Sequence, residues 1–274
     1  MAERPDLANR SGFDRAAQRY DRARPGYPDA VFDELFARLP ARPAVVEVGP
    51  GTGQATRSLL ARGARVTAVE LGEAMAEQLA ANLAGPDLQV LVSSFEDAAL
   101  PPDSFDAVVA ATAYHWIPVG AQIARPARLL RPGGWLAVID TIQVDSPADN
   151  GFWDRIQDVF ERHGAGRRPD DPPLADFDHA MPQLWPALAG AAEFVDVEVL
   201  RFPYDQTYTS TQYGELHRTY SGWLAMPPAA GEALLADICS VIDAEYGGLV
   251  VRPLAITLLL ARRTGRLTEP SGRG

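Results

Sequence analysis

Between residues 44 and 140, short runs of β-branched and apolar residues alternate with longer stretches of helical period. That alternation builds a parallel sheet covered by helices. Strands are predicted over residues 44–48, 65–70, 88–92 and 106–111, with a fifth over 134–140 after the turn Arg131-Pro-Gly-Gly134. Helices are predicted between them, over 53–60, 74–83 and 122–130. Ahead of this block, 13–39 reads as two short helices separated by Arg24-Pro-Gly-Tyr-Pro28, where the prolines stop one and start the next.

Beyond the fifth strand the pattern gives a helix over 151–163, a loop rich in Pro, Asp, Gly and Arg over 164–173, and a helical stretch over 181–191. Two more strands follow, over 195–202 and 249–261, separated by helices over 212–225 and 229–245. Val195-Asp-Val-Glu-Val-Leu200 alternates as a half-buried antiparallel edge does. The expected fold is therefore α/β, a Rossmann-like seven-stranded and mostly parallel sheet with helices on both faces and an antiparallel end. The expected division is an N-terminal helical lid over 1–40, a nucleotide-binding core over 41–140, a helical insertion acting as a lid over 141–192, the rest of the sheet with its helical insert over 193–263, and a polar tail over 264–274.

Composition narrows the partners. The chain holds 25 Lys and Arg against 36 Asp and Glu, a net charge of −11 without a dense basic cluster, so a phosphate backbone is repelled and no nucleic-acid partner is expected. The single cysteine, Cys239, excludes an intramolecular disulfide and fits a reducing compartment. The N-terminus lacks the apolar core of a signal peptide, and the longest apolar run, 255–261, is far short of the ~20 residues of a membrane span. A cytoplasmic protein with no membrane partner is the expectation.

The chemistry gathers where the first strand ends. Ala44-Val-Val-Glu-Val48 runs into Gly49-Pro-Gly-Thr-Gly53, and Gln54 opens a helix. Glycines there tolerate positive φ and let backbone press against a ligand that faces the helix start. Dinucleotide enzymes require G-x-G-x-x-G, and Gln54 stands where their third glycine falls; no Gly-Lys-Ser/Thr follows to make a P-loop. Glu70 ends the second strand seventeen residues beyond Gly53 and can accept hydrogen bonds from both hydroxyls of a ribose. The pair suits an adenosine without a phosphate.

At this point the chain resembles the class I S-adenosylmethionine-dependent methyltransferases. Val45-Val-Glu-Val-Gly-Pro-Gly-Thr-Gly53 is similar to their first motif and Val69-Glu-Leu71 to their second. Ser93-Ser-Phe-Glu-Asp97 is similar to their adenine-reading segment, 105–116 to their fourth strand with its His-Trp ending, and Leu129-Leu-Arg-Pro-Gly-Gly-Trp135 to the turn before their fifth. Phe13-Asp-Arg-Ala-Ala-Gln-Arg-Tyr-Asp21 with Arg24-Pro-Gly-Tyr-Pro28 resembles the N-terminal lid of the trans-aconitate and quinone-pathway branch.

The resemblance implies S-adenosyl-L-methionine as cofactor and a small-molecule methyl acceptor, a secondary metabolite being favoured. It implies that Glu47 holds the methionine ammonium, that Gly49, Pro50, Gly51 and Gly53 admit the cofactor, and that Glu70 binds the ribose. Leu71, Met75, Ser94, Phe95 and Glu96 then surround the adenine, Thr112 or Ala113 offers a carbonyl to the methionine portion, and Tyr20 adds a cofactor contact. His115, following strand four, is the candidate general base, with Tyr20 and Tyr27 walling the acceptor. Plainer roles stand beside these: a packing turn at the glycines, a surface acid at Glu70, a loop-orienting hydrogen bond at His115, and a staple for the N-terminal helices at Tyr20 and Tyr27.

No metal is expected. The acidic run from Asp170 to His179 reads as solvated surface, and no acid stands after strand four where metal-dependent relatives carry one. His217 and Tyr220, three residues apart, are placed on one helical face. The alternatives to methyl transfer are a cofactor-binding protein that catalyses a rearrangement or regulates, and a nicotinamide-dependent oxidoreductase.

Overall fold

A computed structural model describes residues 17–167 and 171–265. The part of the predicted lid at 13–16, together with Asp170 and most of the polar tail, lies outside the described residues. In chain order the main elements begin with α1 (Ala17–Ala23), α2 (Asp29–Phe36), β1 (Ala44–Val48), α3 (Gln54–Ala61), β2 (Arg65–Glu70), α4 (Glu73–Leu83), β3 (Leu88–Val92) and β4 (Phe105–Ala111). Then follow α5 (Ala124–Leu129), β5 (Leu130–Gln143), α6 (Phe152–Arg162), α7 (Trp185–Ala189), β6 (Phe194–Pro203), β7 (Gln206–Thr209) and α8 (Ser210–His217). The series ends with α9 (Ser221–Leu224), α10 (Pro228–Glu245), β8 (Leu249–Arg252) and β9 (Leu254–Arg263).

Seven strands form one sheet in the order β3-β2-β1-β4-β5-β9-β6. The first five are mutually parallel, while β9 runs antiparallel to both of its neighbours, β5 and β6. Alternate residues of each central strand feed two cores. Val46, Val48, Val108 and Val138 pack beneath α5 and α7, while Val45, Val66, Val109 and Ile139 pack beneath α2, α3 and α4. The chain leaves β1 toward β2 and β3 and returns on the other side at β4. In open α/β sheets, ligands sit at such a reversal, outside the carboxyl ends of the strands.

A third core joins parts of the chain far apart in sequence. Phe152, Ile156 and Val159 of α6 pack with Tyr213 and Leu216 of α8, Leu234 and Ile238 of α10, Tyr208 of β7 and Val250 of β8. The helix α1 links this cluster to the sheet domain, contacting α8 and α4, and Asn82 of α4 donates to Asp21 at 3.0 Å.

Several elements depart from the sequence expectation. The predicted strand over 249–261 breaks at Pro253, which lacks an N–H to donate; β8 pairs instead with β7 in a separate two-stranded sheet, and β9 alone joins the main one. The predicted helix over 212–225 divides into α8 and α9. Thr219 bonds back to the Leu216 carbonyl through both its amide and its hydroxyl, and Arg24 takes the Thr219 carbonyl at 3.1 Å, so the ladder stops there. The expected helix over 181–191 contracts to α7. The edge strand β6 carries a bulge between Val195 and Glu198 that leaves Val195 exposed.

Candidate active site

The glycine turn is shaped by positions that only glycine fills without conflict. Gly49, Gly51 and Gly53 have φ of +61°, +58° and +105°. A Cβ on Gly49 would stand 2.7 Å from Cβ of Ala113, an atom fixed to the backbone. The end of β1 and the end of β4 are thus pressed together at the reversal. A Cβ on Gly53 would meet Leu83 and Leu79 of α4 at 2.7 and 2.8 Å. Gly53 seats the turn on α4 and is not among the residues that line the cavity over the turn or the recess beside it. The carboxylate of Glu70 locks the turn, accepting the Gly51 N–H at 3.0 Å and the Gly72 N–H at 2.9 Å.

A cavity of about 420 Å³ opens over this turn. Of the residues singled out in the sequence, Tyr20, Gly49, Gly51, Glu70, Leu71, Met75, Ser94, Phe95, Glu96, Thr112, Ala113 and His115 all line it. A smaller recess of about 50 Å³ adjoins it, sharing Tyr20, Gly49, Thr112 and Tyr220, and there Glu47, Pro50 and Tyr27 are found. The two together hold every residue of the expected site except Gly53.

Their electrostatics differ sharply. Glu47 is 1% exposed, on the face of β1 that otherwise buries valine, and neither carboxylate oxygen has a hydrogen-bond partner. Burial and, less strongly, the charge of Glu70 push its pKa up to about 7, against the pull of the Thr56 hydroxyl and amide, which lie close by without meeting it in hydrogen-bond geometry. A buried, unpartnered carboxyl facing a recess is a ready counterpart for a cation. Burial likewise raises the phenols of Tyr20 and Tyr27, the second despite a hydrogen bond with the Thr112 hydroxyl at 2.9 Å. Both remain protonated at neutral pH.

His115 is the middle residue of the short 3₁₀ turn after β4 (Tyr114–Trp116) and lines the cavity. Its ring lies 5.0 Å from that of Trp116, and no hydrogen bond orients it. The surrounding protein lowers its pKa by desolvation, which keeps the imidazole neutral.

Among the lining residues that sequence reasoning did not assign to the site are Arg24, Thr141 and Arg252. Arg24 sits between two rings, its guanidinium carbon 5.0 Å from the centroid of Tyr20 and 4.5 Å from that of Tyr220. Arg252 donates from Nε to Gln143 at 2.9 Å and from Nη1 to the Tyr220 hydroxyl. The signal for Arg252 was available, since a lone charge interrupts the apolar run Leu249-Val-Val-Arg-Pro-Leu254. His217 and Tyr220 do not share a helical face: the first ends α8, the second caps α9, and the rings meet edge to face at 5.0 Å. Tyr220 alone reaches the cavity.

Comparison with known proteins agrees with this geometry. The model of a methyltransferase domain matches residues 46–138, the stretch that carries β1 to β5. An uncharacterized methyltransferase of Mycobacterium tuberculosis is 38% identical over 127 residues, which cover 46% of this chain and 51% of the relative. The chain thus spans about half the length of that relative. An uncharacterized methyltransferase of Geobacillus sp. WCH70 is 30% identical over 162 residues, covering 55% of this chain and 74% of its own. A solved structure from Anaeromyxobacter dehalogenans, provisionally assigned as a type II methyltransferase, superposes with a TM-score of 0.61 at 28% identity, over 88% of this chain and 97% of its own. With the seven-stranded fold and the glycine turn at its reversal, this chain belongs to the class I S-adenosylmethionine-dependent methyltransferases.

Proposed function

We propose that the protein transfers a methyl group from S-adenosylmethionine to a small-molecule acceptor, and that its two cavities divide the work. The observation that carries this reading is Glu47, a buried carboxyl without a partner, set beneath a glycine turn whose amide is held by a second carboxylate, Glu70. That pairing fits the donor's cationic amino-acid end on one side and its ribose on the other. Gly49 and Gly51 keep the wall free of side chains, Phe95 and Glu96 face the adenine, and Arg24 offers its guanidinium to the donor's carboxylate.

Bound there, the cofactor supplies an electrophilic methyl group on a sulfonium, so the new bond to the acceptor forms as the carbon–sulfur bond breaks and its electron pair goes to sulfur. The chain's own contribution is chiefly positioning. Tyr20, Thr112 and Trp116 exclude water around the reacting centre. His115, neutral and facing the cavity, takes the proton of an acceptor that must lose one. The donor and the reacting part of the acceptor share a cavity of about 420 Å³, which supports a small metabolite over a protein or nucleic acid as acceptor.

The test is a calorimetric titration of the full chain with S-adenosylhomocysteine, followed by incubation with methyl-labelled cofactor and a panel of small acceptors. Binding in the micromolar range and label transfer are expected. Absence of binding sinks the reading.

A further inference from the structure

Rings and guanidiniums stack in alternation from the glycine turn toward the end of β5. Tyr20 lies against Gly51, its Cε1 being 3.5 Å from where a Cβ of that glycine would stand. Arg24 covers Tyr20, Tyr220 covers Arg24, and Arg252 lies on Tyr220 with its guanidinium carbon 5.8 Å from the ring centroid. Arg252 is then tied by Nε to Gln143, the last residue of β5. Arg24 is therefore the arginine on the donor side of Tyr220, and Arg252 the one on the far side.

Neither arginine forms an ion pair with a carboxylate among the described residues, although both line the cavity and its recess. A guanidinium presents five N–H donors. Arg252 commits one to Gln143 and one to Tyr220, which leaves three without an acceptor. A desolvated cation in this condition favours an anionic ligand, and a planar carboxylate matches the fork of its remaining donors. The local field agrees: His217, behind Tyr220, has its pKa pushed down to about 3 by burial and then by the charges of Arg252 and Arg24.

A second polar group points the same way. Tyr208 of β7 is 7% exposed, its hydroxyl has no partner, and it lines the recess beside Arg252. At about 50 Å³ the recess exceeds the roughly 10–15 Å³ that one bound water requires, so a small polar group at Tyr208 and Arg252 has room beside the donor's ammonium at Glu47.

We infer that the acceptor carries a carboxylate, held by Arg252 with the help of the Tyr208 hydroxyl, while its reacting atom faces the donor across Tyr220. This rests on the methyltransferase reading above and gives it a substrate class. Arg252 and Tyr208 act as anchors for the acceptor, and the methylated atom lies elsewhere on the molecule.

The test uses the full chain saturated with S-adenosylhomocysteine and three probes of one shape: benzoate, the neutral benzamide, and phenyl phosphate. The titration with S-adenosylhomocysteine comes first, so a failure of the cofactor reading shows there and separately. Benzoate is expected to bind at least tenfold tighter than benzamide, and Arg252→Gln to abolish that preference while cofactor affinity stays within twofold. Tyr208→Phe, which keeps the ring and so the packing, is expected to reduce the preference about threefold and serves where Arg252→Gln does not fold. Equal binding of benzoate and benzamide overturns the inference, and a preference for phenyl phosphate overturns the choice of carboxylate. Loss of cofactor affinity in Arg252→Gln with the benzoate preference intact would assign this arginine to the donor instead.

Discussion

The hydroxyl of Tyr27 lies 2.9 Å from the hydroxyl of Thr112 and so joins the segment between α1 and α2 to the end of β4. Thr112 has φ of +55°, a left-handed conformation that costs a β-branched residue ~1–3 kcal/mol. Its amide donates to the Ile139 carbonyl at 2.7 Å, so the strained residue is held from backbone and side chain alike. Tyr27→Phe deletes one partner only. A loss of about 1 kcal/mol in denaturant unfolding is expected, with acceptor KM rising several-fold and S-adenosylhomocysteine affinity little changed. An equal loss in both ligands would mean that Tyr27 serves the donor.

The contact between Gly49 and Ala113 sets up a compensating pair. Gly49→Ala places a methyl group 2.7 Å from Cβ of Ala113 and forces alanine to φ of +61°. Destabilisation of about 2–4 kcal/mol and near-complete loss of cofactor binding are expected. Adding Ala113→Gly removes the collision but not the strained φ, and is expected to restore about half of the lost stability. Thermal unfolding of the two variants checks this. Were the double variant no better than the single one, steric conflict would not be the reason for glycine here.

Glu47 gives the protein an opposed dependence on pH with and without ligand. Its pKa is raised from 4.5 to about 7, so between those values the folded chain binds a proton that the unfolded chain has released. Stability without cofactor therefore falls as pH rises through that window. Glu47→Gln removes the penalty, and on the order of 2–3 kcal/mol of added stability is expected above pH 7. Asp140, also raised by burial, to about 6, is common to both proteins and cancels in the comparison. Cofactor affinity moves the other way: an ionised Glu47 attracts the ammonium, so affinity should rise severalfold between pH 6 and 8 and be flat in Glu47→Gln. Unfolding and titration at both pH values measure the two trends.

Much of the sheet was legible because its strands obey a local rule. The runs at β1 and β2 are rich in β-branched and apolar residues over strand length, and Gly49 and Glu70 mark where they end. That Gly49, Gly51, Glu70 and the Phe95-Glu96 segment come together at one cavity was legible for the same reason, since all lie within a few residues of strand ends. The third core was not, because Tyr208, Leu216, Ile238 and Phe152 meet through contacts between segments dozens of residues apart. Arg24 and Arg252 escaped likewise. Nothing local to either shows that Tyr220 lies between them, and the break before Tyr220 depends on Arg24 capturing the Thr219 carbonyl. Gly53 is a motif glycine for which packing against Leu79 and Leu83 is a sufficient reason.

His115 separates catalysis from binding in a way that kinetics can read. The imidazole lines the cavity, lies tilted against Trp116, and makes no hydrogen bond that its replacement would break. Its pKa is lowered by desolvation, so the neutral form that accepts a proton persists below pH 6.5. With the donor saturating, which removes the contribution of Glu47, kcat/KM for the acceptor should rise with pH along a limb below 6.5 and level above it. His115→Asn should flatten that limb and lower kcat by ~10²-fold, leaving S-adenosylhomocysteine affinity and unfolding free energy close to those of the parent. A histidine that only shapes the loop would behave otherwise. It would lose stability and donor affinity together on replacement, and the limb in the pH profile would survive.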